Sequence, residues 1–130
     1  MTTDRAQSFA DALQDLERTE DVDRFVSATF SDDAELVRPE TGQEERGTGG
    51  ARQFWQQYVD QFQEIRSEFA RVVDGEVAVL EWTSTGRLAS GTDISYRGVS
   101  VLDFGGDGRV VRFATYYDTT PFSAAVSTHR

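Results

Sequence analysis

Residues 77–86 read VAVLEWTSTG and carry one carboxylate, Glu81, beside Trp82 in an otherwise apolar run. Two roles suit a carboxylate in that place. Held in a dry cavity it is a general acid or base. Facing the other way, it pairs with an arginine such as Arg71, Arg97 or Arg112 across a subunit contact, which offsets the cost of burying its charge. Strand side chains alternate between faces, so Trp82 shares a face with Ala78 and Leu80, and Glu81 shares the other with Val77 and Val79.

Other chemistries have little to work with. The chain contains no cysteine, which removes thiolate nucleophiles, thiolate metal sites and disulfides. Its one histidine, His129, stands next to the end. The run GTGG at 47–50 lacks the lysine of a phosphate loop, and DGEVAVLE at 74–81 begins like a calcium loop without that loop's other acids. No metal and no cofactor are expected. A formal net charge of −10 argues against nucleic acid and anionic membranes as partners, because both reward a basic patch. All 13 basic residues are arginine, a composition of GC-rich genomes or salt-adapted surfaces.

The elements that must position these residues follow from periodicity. A length of 130 residues with 38% hydrophobic content suits one domain. That domain is expected over 1–118, with a tail at 119–130 that is a short helix or disordered. No run of roughly 18 apolar residues suggests a membrane span, and the start lacks the pattern of a secretory signal, so a soluble, cytoplasmic protein is expected. Phe9, Leu13 and Leu16 predict an amphipathic helix over 5–18, and Asp21 is a plausible N-cap for a second, over 21–30. A strand is expected over 34–38, closed by Pro39, then a polar loop over 40–50 as a rim or lid. Phe54, Trp55, Tyr58, Val59 and Phe62 give the next helix a broad aromatic face, read first as core. Strands follow over 64–73, 76–88, 95–104 and 109–118, with hairpin turns at DG 74–75 and GGDG 105–108. Helices followed by long antiparallel strands describe an α+β domain, a curved sheet wrapped around N-terminal helices.

FSDDAELVRP, GTGGARQFWQQY, VAVLEWTSTG and the hairpin DGRVVRFATYYD, in this order over residues 8–118, resemble the SnoaL-like (polyketide cyclase-like) branch of the nuclear-transport-factor-2-like superfamily. The resemblance implies the cone-shaped cystatin/nuclear-transport-factor-2-like fold, an interior pocket for a small-molecule ligand, and a homodimer through the outer face of the sheet. It does not select a reaction. Ketosteroid isomerases of that superfamily place a base where this chain has Arg38, a tyrosine at Gln14 and a protonated acid at Ser100. An arginine stays protonated, so that chemistry is disfavoured. The aspartate that epoxide hydrolases carry in the last strand corresponds to Thr115, and the pocket histidines of scytalone dehydratases have no counterpart.

In the family register Trp82 faces inward and Glu81 outward, toward the dimer contact. Tyr96, Gly98 and Ser100, then Phe113, Thr115 and Tyr117, point inward with it, beneath Trp55 and Tyr58. Arg38, Trp55, Tyr58, Trp82, Tyr96, Ser100, Phe113 and Thr115 are the expected ligand-binding residues. SnoaL-like cyclases use a pocket acid for cofactor-independent aldol closure, and Asp118 is its counterpart here, with Tyr117 as its neighbour in proton transfer. Strict alternation turns Asp118 outward unless the strand bulges or ends there. Asp103 shares that difficulty. Three readings stand: a cyclase- or isomerase-type enzyme acting on a small carbonyl compound, a ligand-binding module without chemistry, and a dimeric scaffold with a packed cone.

Overall fold

Short polar side chains start the first two helices of the computed structural model, which describes residues 4–122. Asp4 accepts a hydrogen bond from the Gln7 amide at the head of α1 (Arg5–Thr19), and Asp21 accepts one from the Arg24 amide at the head of α2 (Val22–Thr29). Glu20, at φ 60°, ends α1 in the left-handed conformation, and its amide closes on the Leu16 carbonyl. α1 turns Phe9, Leu13 and Leu16 inward, at the expected helical spacing.

Strand β1 (Phe30–Arg38) begins four residues before the expected start at 34. The stretch over 40–50, expected as a loop, folds instead into strand β2 (Gln43–Arg46) and the first turn of α3 (Gly47–Asp60). A tight turn at Gly42, φ 76°, returns the chain against β1, pairing Arg38 with Gln43 and Glu35 with Arg46. As a polar edge strand, β2 has no apolar face to show in its sequence. Three long strands and a shorter one follow: β3 (Phe62–Val73), β4 (Val77–Leu88), β5 (Asp93–Phe104) and β6 (Val110–Tyr117).

The six strands form one curved, unclosed sheet in the order β2-β1-β6-β5-β4-β3. Every pairing is antiparallel except β1 with β6, so the sheet is mixed where an antiparallel one was expected. The chain leaves β1 through α3 and the meander and returns beside it, which makes that one junction parallel.

The helices fill the concave face. Phe113, 2% exposed, lies within 5.1–6.3 Å, centroid to centroid, of Phe9, Phe30, Phe54 and Trp55, an edge-rich aromatic core drawn from the helices and the sheet. Burying one such ring contributes roughly 1.5–3 kcal/mol. A second cluster, of Phe62, Ile65, Ile94 and Tyr96, closes the other end, with Phe122 packed against it. Residues 123–130, with His129 and most of the expected tail, lie outside the described residues. Among the described residues no helix is long and apolar enough to cross a membrane.

Candidate functional site

Alternation along the strands puts three rows of side chains across the concave face. Phe69, Trp82, Gly98 and Tyr117 stand opposite one another on β3, β4, β5 and β6. On one side of that row run Leu80, Ser100 and Thr115, and on the other Ser67, Ser84 and Tyr96. Gly98 is required where it stands: a Cβ there would meet the Tyr116 carbonyl at 2.3 Å, the Trp82 ring at 2.7 Å and Tyr117 Cβ at 2.8 Å.

These rows and the helices enclose a cavity with about 40 Å³ open to the centres of water-sized molecules. At about 10–15 Å³ per water that is room for about three or four waters. Arg38, Trp55, Tyr58, Trp82, Tyr96, Ser100, Phe113 and Thr115, the residues predicted to line a pocket, all line this cavity, together with Tyr117. Phe54, Ser67, Ser84 and Phe122 join them unpredicted. Phe122 packs against that lining, its ring centroid 4.7 Å from that of Tyr96 and 5.8 Å from that of Tyr117.

Arg38 is the cation of this cavity. Its guanidinium carbon lies 3.8 Å from the centroid of the Phe54 ring, and Nη1 donates to Gln43 Oε1. Gln43 is itself held through Nε2, which donates to Gln57 Oε1 at 2.7 Å and Glu45 Oε2 at 3.2 Å. Among the described residues no carboxylate lies within 4.0 Å of Arg38, and burial lowers its pKa. A second donor faces the same shortage: Trp55 is 3% exposed, and its indole N–H has no hydrogen-bond partner among the described residues. The other indole is satisfied, Trp82 Nε1 donating to Ser100 Oγ at 2.9 Å, with Thr115 Oγ1 3.0 Å beyond.

Asp118 is not part of this wall. β6 ends at Tyr117, alternation turns the next residue away, and Asp118 stands exposed, accepting a hydrogen bond from the Thr120 amide at 3.0 Å. That bond holds its pKa below the usual carboxylate range. Glu81 also lies outside the cavity lining, on the convex face, with its Oε2 3.5 Å from Arg71 Nη1.

The acid beside the cavity is Glu17, a residue absent from the sequence-based candidates. It sits one turn after Leu13 on the inward edge of α1, and its Oε2 accepts from Tyr58 Oη and Ser67 Oγ, each at 2.6 Å. Oε1 accepts from the Ser67 amide at 2.8 Å. Desolvation raises the Glu17 pKa against the lowering effect of those bonds. A signal for it exists in the chain: Glu17 follows Leu13 by four residues, so the two share a helix face. Ser84 has one too, lying two residues beyond Trp82 on the same strand face.

The family profile for the SnoaL-like domain matches residues 6–113. No curated protein matches the chain. An NTF2-like protein of unknown function from Exiguobacterium sp. 255-15 is 27% identical, with a TM-score of 0.71 over 85% of this chain and 98% of its own. A proposed SnoaL-like polyketide cyclase from Jannaschia sp. CCS1 is 15% identical, with a TM-score of 0.80 over 100% of this chain and 99% of its own. An LEH-like epoxide hydrolase from M. tuberculosis is 18% identical, with a TM-score of 0.72 over 95% of this chain and 90% of its own. The last two likenesses establish the fold, and the differing activities in their descriptions leave the reaction to the residues of the site.

Proposed function

This chain belongs to the family of SnoaL-like domains, and from that premise we propose that its cone takes a small, flat, oxygen-bearing molecule and moves a proton on it without a cofactor, as cyclases and isomerases of carbonyl compounds do. The observation that carries this reading is Arg38, a half-buried guanidinium with no carboxylate within ion-pair distance among the described residues. A partly desolvated cation with no carboxylate within 4.0 Å, Glu45 acting on it only from farther away, is a receptor for an anionic or carbonyl oxygen. The unpartnered Trp55 N–H supplies a second donor, and the aromatic walls suit a planar body. Charge that develops on the ligand oxygen during proton transfer is then met by a donor already in place. Tyr96 and Tyr117 are the phenols that line the cavity without donating to Glu17, and they are the groups suited to touch the reacting atoms. Asp118, exposed and tied to Thr120, is not assigned a role in that step.

A packed cone with no ligand is the second reading, favoured by the 40 Å³ of the cavity. The two part on a thermal-shift experiment with benzoate, 2-naphthoate and 2-indanone, run on the wild type and on Arg38→Ala. Stabilisation of the wild type by one of these probes, absent in the variant, supports a ligand site, since a molecule binding only the native state stabilises it. No stabilisation by any of the three would leave the packed cone as the better account. For 2-indanone, deuterium uptake from heavy water at its α-carbons, followed by NMR, then separates a proton-moving site from a holding one.

A further inference from the structure

Ser67, Ser84 and Tyr96 occupy one row of register on three neighbouring strands: Ser67 is paired with Ser84 and Ser84 with Tyr96. Ser67 Oγ lies 2.6 Å from Ser84 Oγ, and the Ser84 hydroxyl, opposite Tyr96 in register, lowers the pKa of that phenol. All three side chains line the cavity and are buried, at 2%, 1% and 7% exposure. At the far end of the row stands Glu17, which accepts the Ser67 hydroxyl.

Glu17 and Ser67 also border a second space. They line an open groove of about 710 Å³ between α1 and β3, shared with Gln14, Arg18, Glu64 and Arg66. Ser67 is common to the linings of groove and cavity, with Glu17 on the groove side of it and Ser84 and Tyr96 on the cavity side. A merely structural polar cluster has no need to open on two compartments.

We propose that Glu17, Ser67, Ser84 and Tyr96 form a proton relay through the side of the cone, with Glu17 as its proton store and the α1/β3 groove as its exchange with water. When Glu17 is ionised, Ser67 donates to Oε2, Ser84 donates to Ser67 Oγ, and Tyr96 donates to Ser84 Oγ. The Tyr96 oxygen then offers only lone pairs to the cavity. A proton taken up there lets each hydroxyl pass its own proton one place along, and the last arrives on Glu17 Oε2. Every hydroxyl ends neutral, the chain of donors has reversed, and the negative charge has moved from Glu17 to the molecule that gave the proton. Beside Arg38, that molecule would be a carbon acid next to a carbonyl group, its enolate oxygen held by the guanidinium. Read backwards, the relay delivers a proton. This use in chemistry rests on the reading of the cone as a ligand site, whereas the relay itself does not.

Electrostatics of the surroundings agree. Burial raises the carboxyl of Glu17, so its proton is gained and lost above the ordinary carboxylate range. Tyr58, donating from α3, and Tyr96, on β5, are both raised, so the phenols stay neutral while Glu17 titrates. The charged residues that share the groove with Glu17 are Arg18 on its own helix and Glu64, Arg66 and Glu68 along β3, while Arg38 of β1 lines the cavity. Arg18 is engaged by Asp15.

The test needs no ligand. Protein labelled with carbon-13 at Glu Cδ and Tyr Cζ is titrated by NMR as wild type, Glu17→Gln, Ser84→Ala and Ser67→Ala. In the wild type, Glu17 Cδ is expected to inflect above the ordinary carboxylate range, and Tyr58 and Tyr96 Cζ to share that inflection. Glu17→Gln should abolish it in both tyrosines. Ser84→Ala and Ser67→Ala should shrink it in Tyr96 to what the charge of Glu17 imposes through space, and leave it in Tyr58, which touches Glu17 directly and serves as the internal reference. A Tyr96 resonance that ignores Glu17 in the wild type, or that follows it unchanged in both serine variants, overturns the relay. Failure of the Arg38 probes to bind does not enter this measurement, so the two ideas fail separately.

Discussion

Burial strips a charge of its water, and the two half-buried charges at the cone wall meet that cost in different ways. Glu17 collects three donors, and Arg38 has an aromatic ring, one glutamine and, among the described residues, no carboxylate within 4.0 Å. Replacing an unpaired buried charge by an apolar side chain of similar length is often neutral or stabilising. Arg38→Met is thus expected to leave the stability of the free protein within about 1 kcal/mol of the wild type, or above it, while removing ligand-induced stabilisation. Urea unfolding with and without 2-naphthoate checks both halves. For Glu17 the sign follows from its raised pKa: between its unfolded and folded values the native state binds more protons than the unfolded one. Stability from this group is present below the unfolded value of about 4.5 and is lost as pH rises through the folded one. Glu17→Gln should therefore gain on the wild type as pH rises across that window. A difference in urea midpoint that stays constant from acid to neutral pH would contradict it.

Within the elements, irregular positions decide which side chains meet. Phe69 and Arg71 are two residues apart on β3 and by strict alternation would share a face. The register shift between them leaves Ala70 unpaired, so Phe69 stands opposite Trp82 and Arg71 opposite Glu81. That extra residue is what permits the Arg71 to Glu81 pair on the convex face without disturbing the cavity row. Gly98 performs the matching task on β5, and Gly98→Ala forces backbone and ring atoms apart at distances below 3.0 Å. A loss of about 1–3 kcal/mol is expected, with a changed Trp82 fluorescence, since overpacking displaces neighbours that are already close-packed. Gly106, in the β5–β6 turn, has open space within 4 Å of where a Cβ would stand, and its alanine variant, the control, should stay within about 0.5 kcal/mol. Phe122, in the cavity lining, belongs to this scale too. If it limits entry, Phe122→Ala tightens 2-naphthoate binding severalfold by calorimetry, and weaker binding would mean its ring is part of the site.

At the scale of the molecule the dominant fact is a net charge of −10 on 130 residues. Self-repulsion of that size opposes the compact state and is screened by salt. Thermal unfolding midpoints should rise by a few degrees between low and high sodium chloride, and a flat response would show that the acidic groups are already compensated locally. The homodimer implied by the resemblance would use the convex face, where Arg71, Glu81, Val99 and Tyr116 form one cross-strand row. Tyr116, at 40% exposure, is its large exposed aromatic. Sedimentation equilibrium is expected to report twice the 14.5 kDa chain mass, with Tyr116→Asp shifting the population toward the single chain.

What the sequence determined by itself was whatever depends on local periodicity. Helical spacing of Phe9, Leu13 and Leu16 and the period of two around Trp82 sufficed for the α+β class and for most element bounds, and divided β4, β5 and β6 into two faces; the family resemblance marked which face is inward, and with it the cavity residues from Arg38 to Tyr117. Strand β2 escaped because a polar edge strand has no apolar alternation to read. Glu17, Ser67 and Ser84 escaped for a related reason: a serine or a glutamate at the edge of an apolar stripe looks like solvent-facing chain until the partner arrives from 50 residues away, as Ser67 does for Glu17. Only the tertiary structure decided that these groups meet, that Asp118 does not join them, and that the cavity is narrow. Those outcomes depend on the β3 bulge, on the end of β6 and on the packing of Phe122, which are long-range contacts whose energies no single stretch of chain contains.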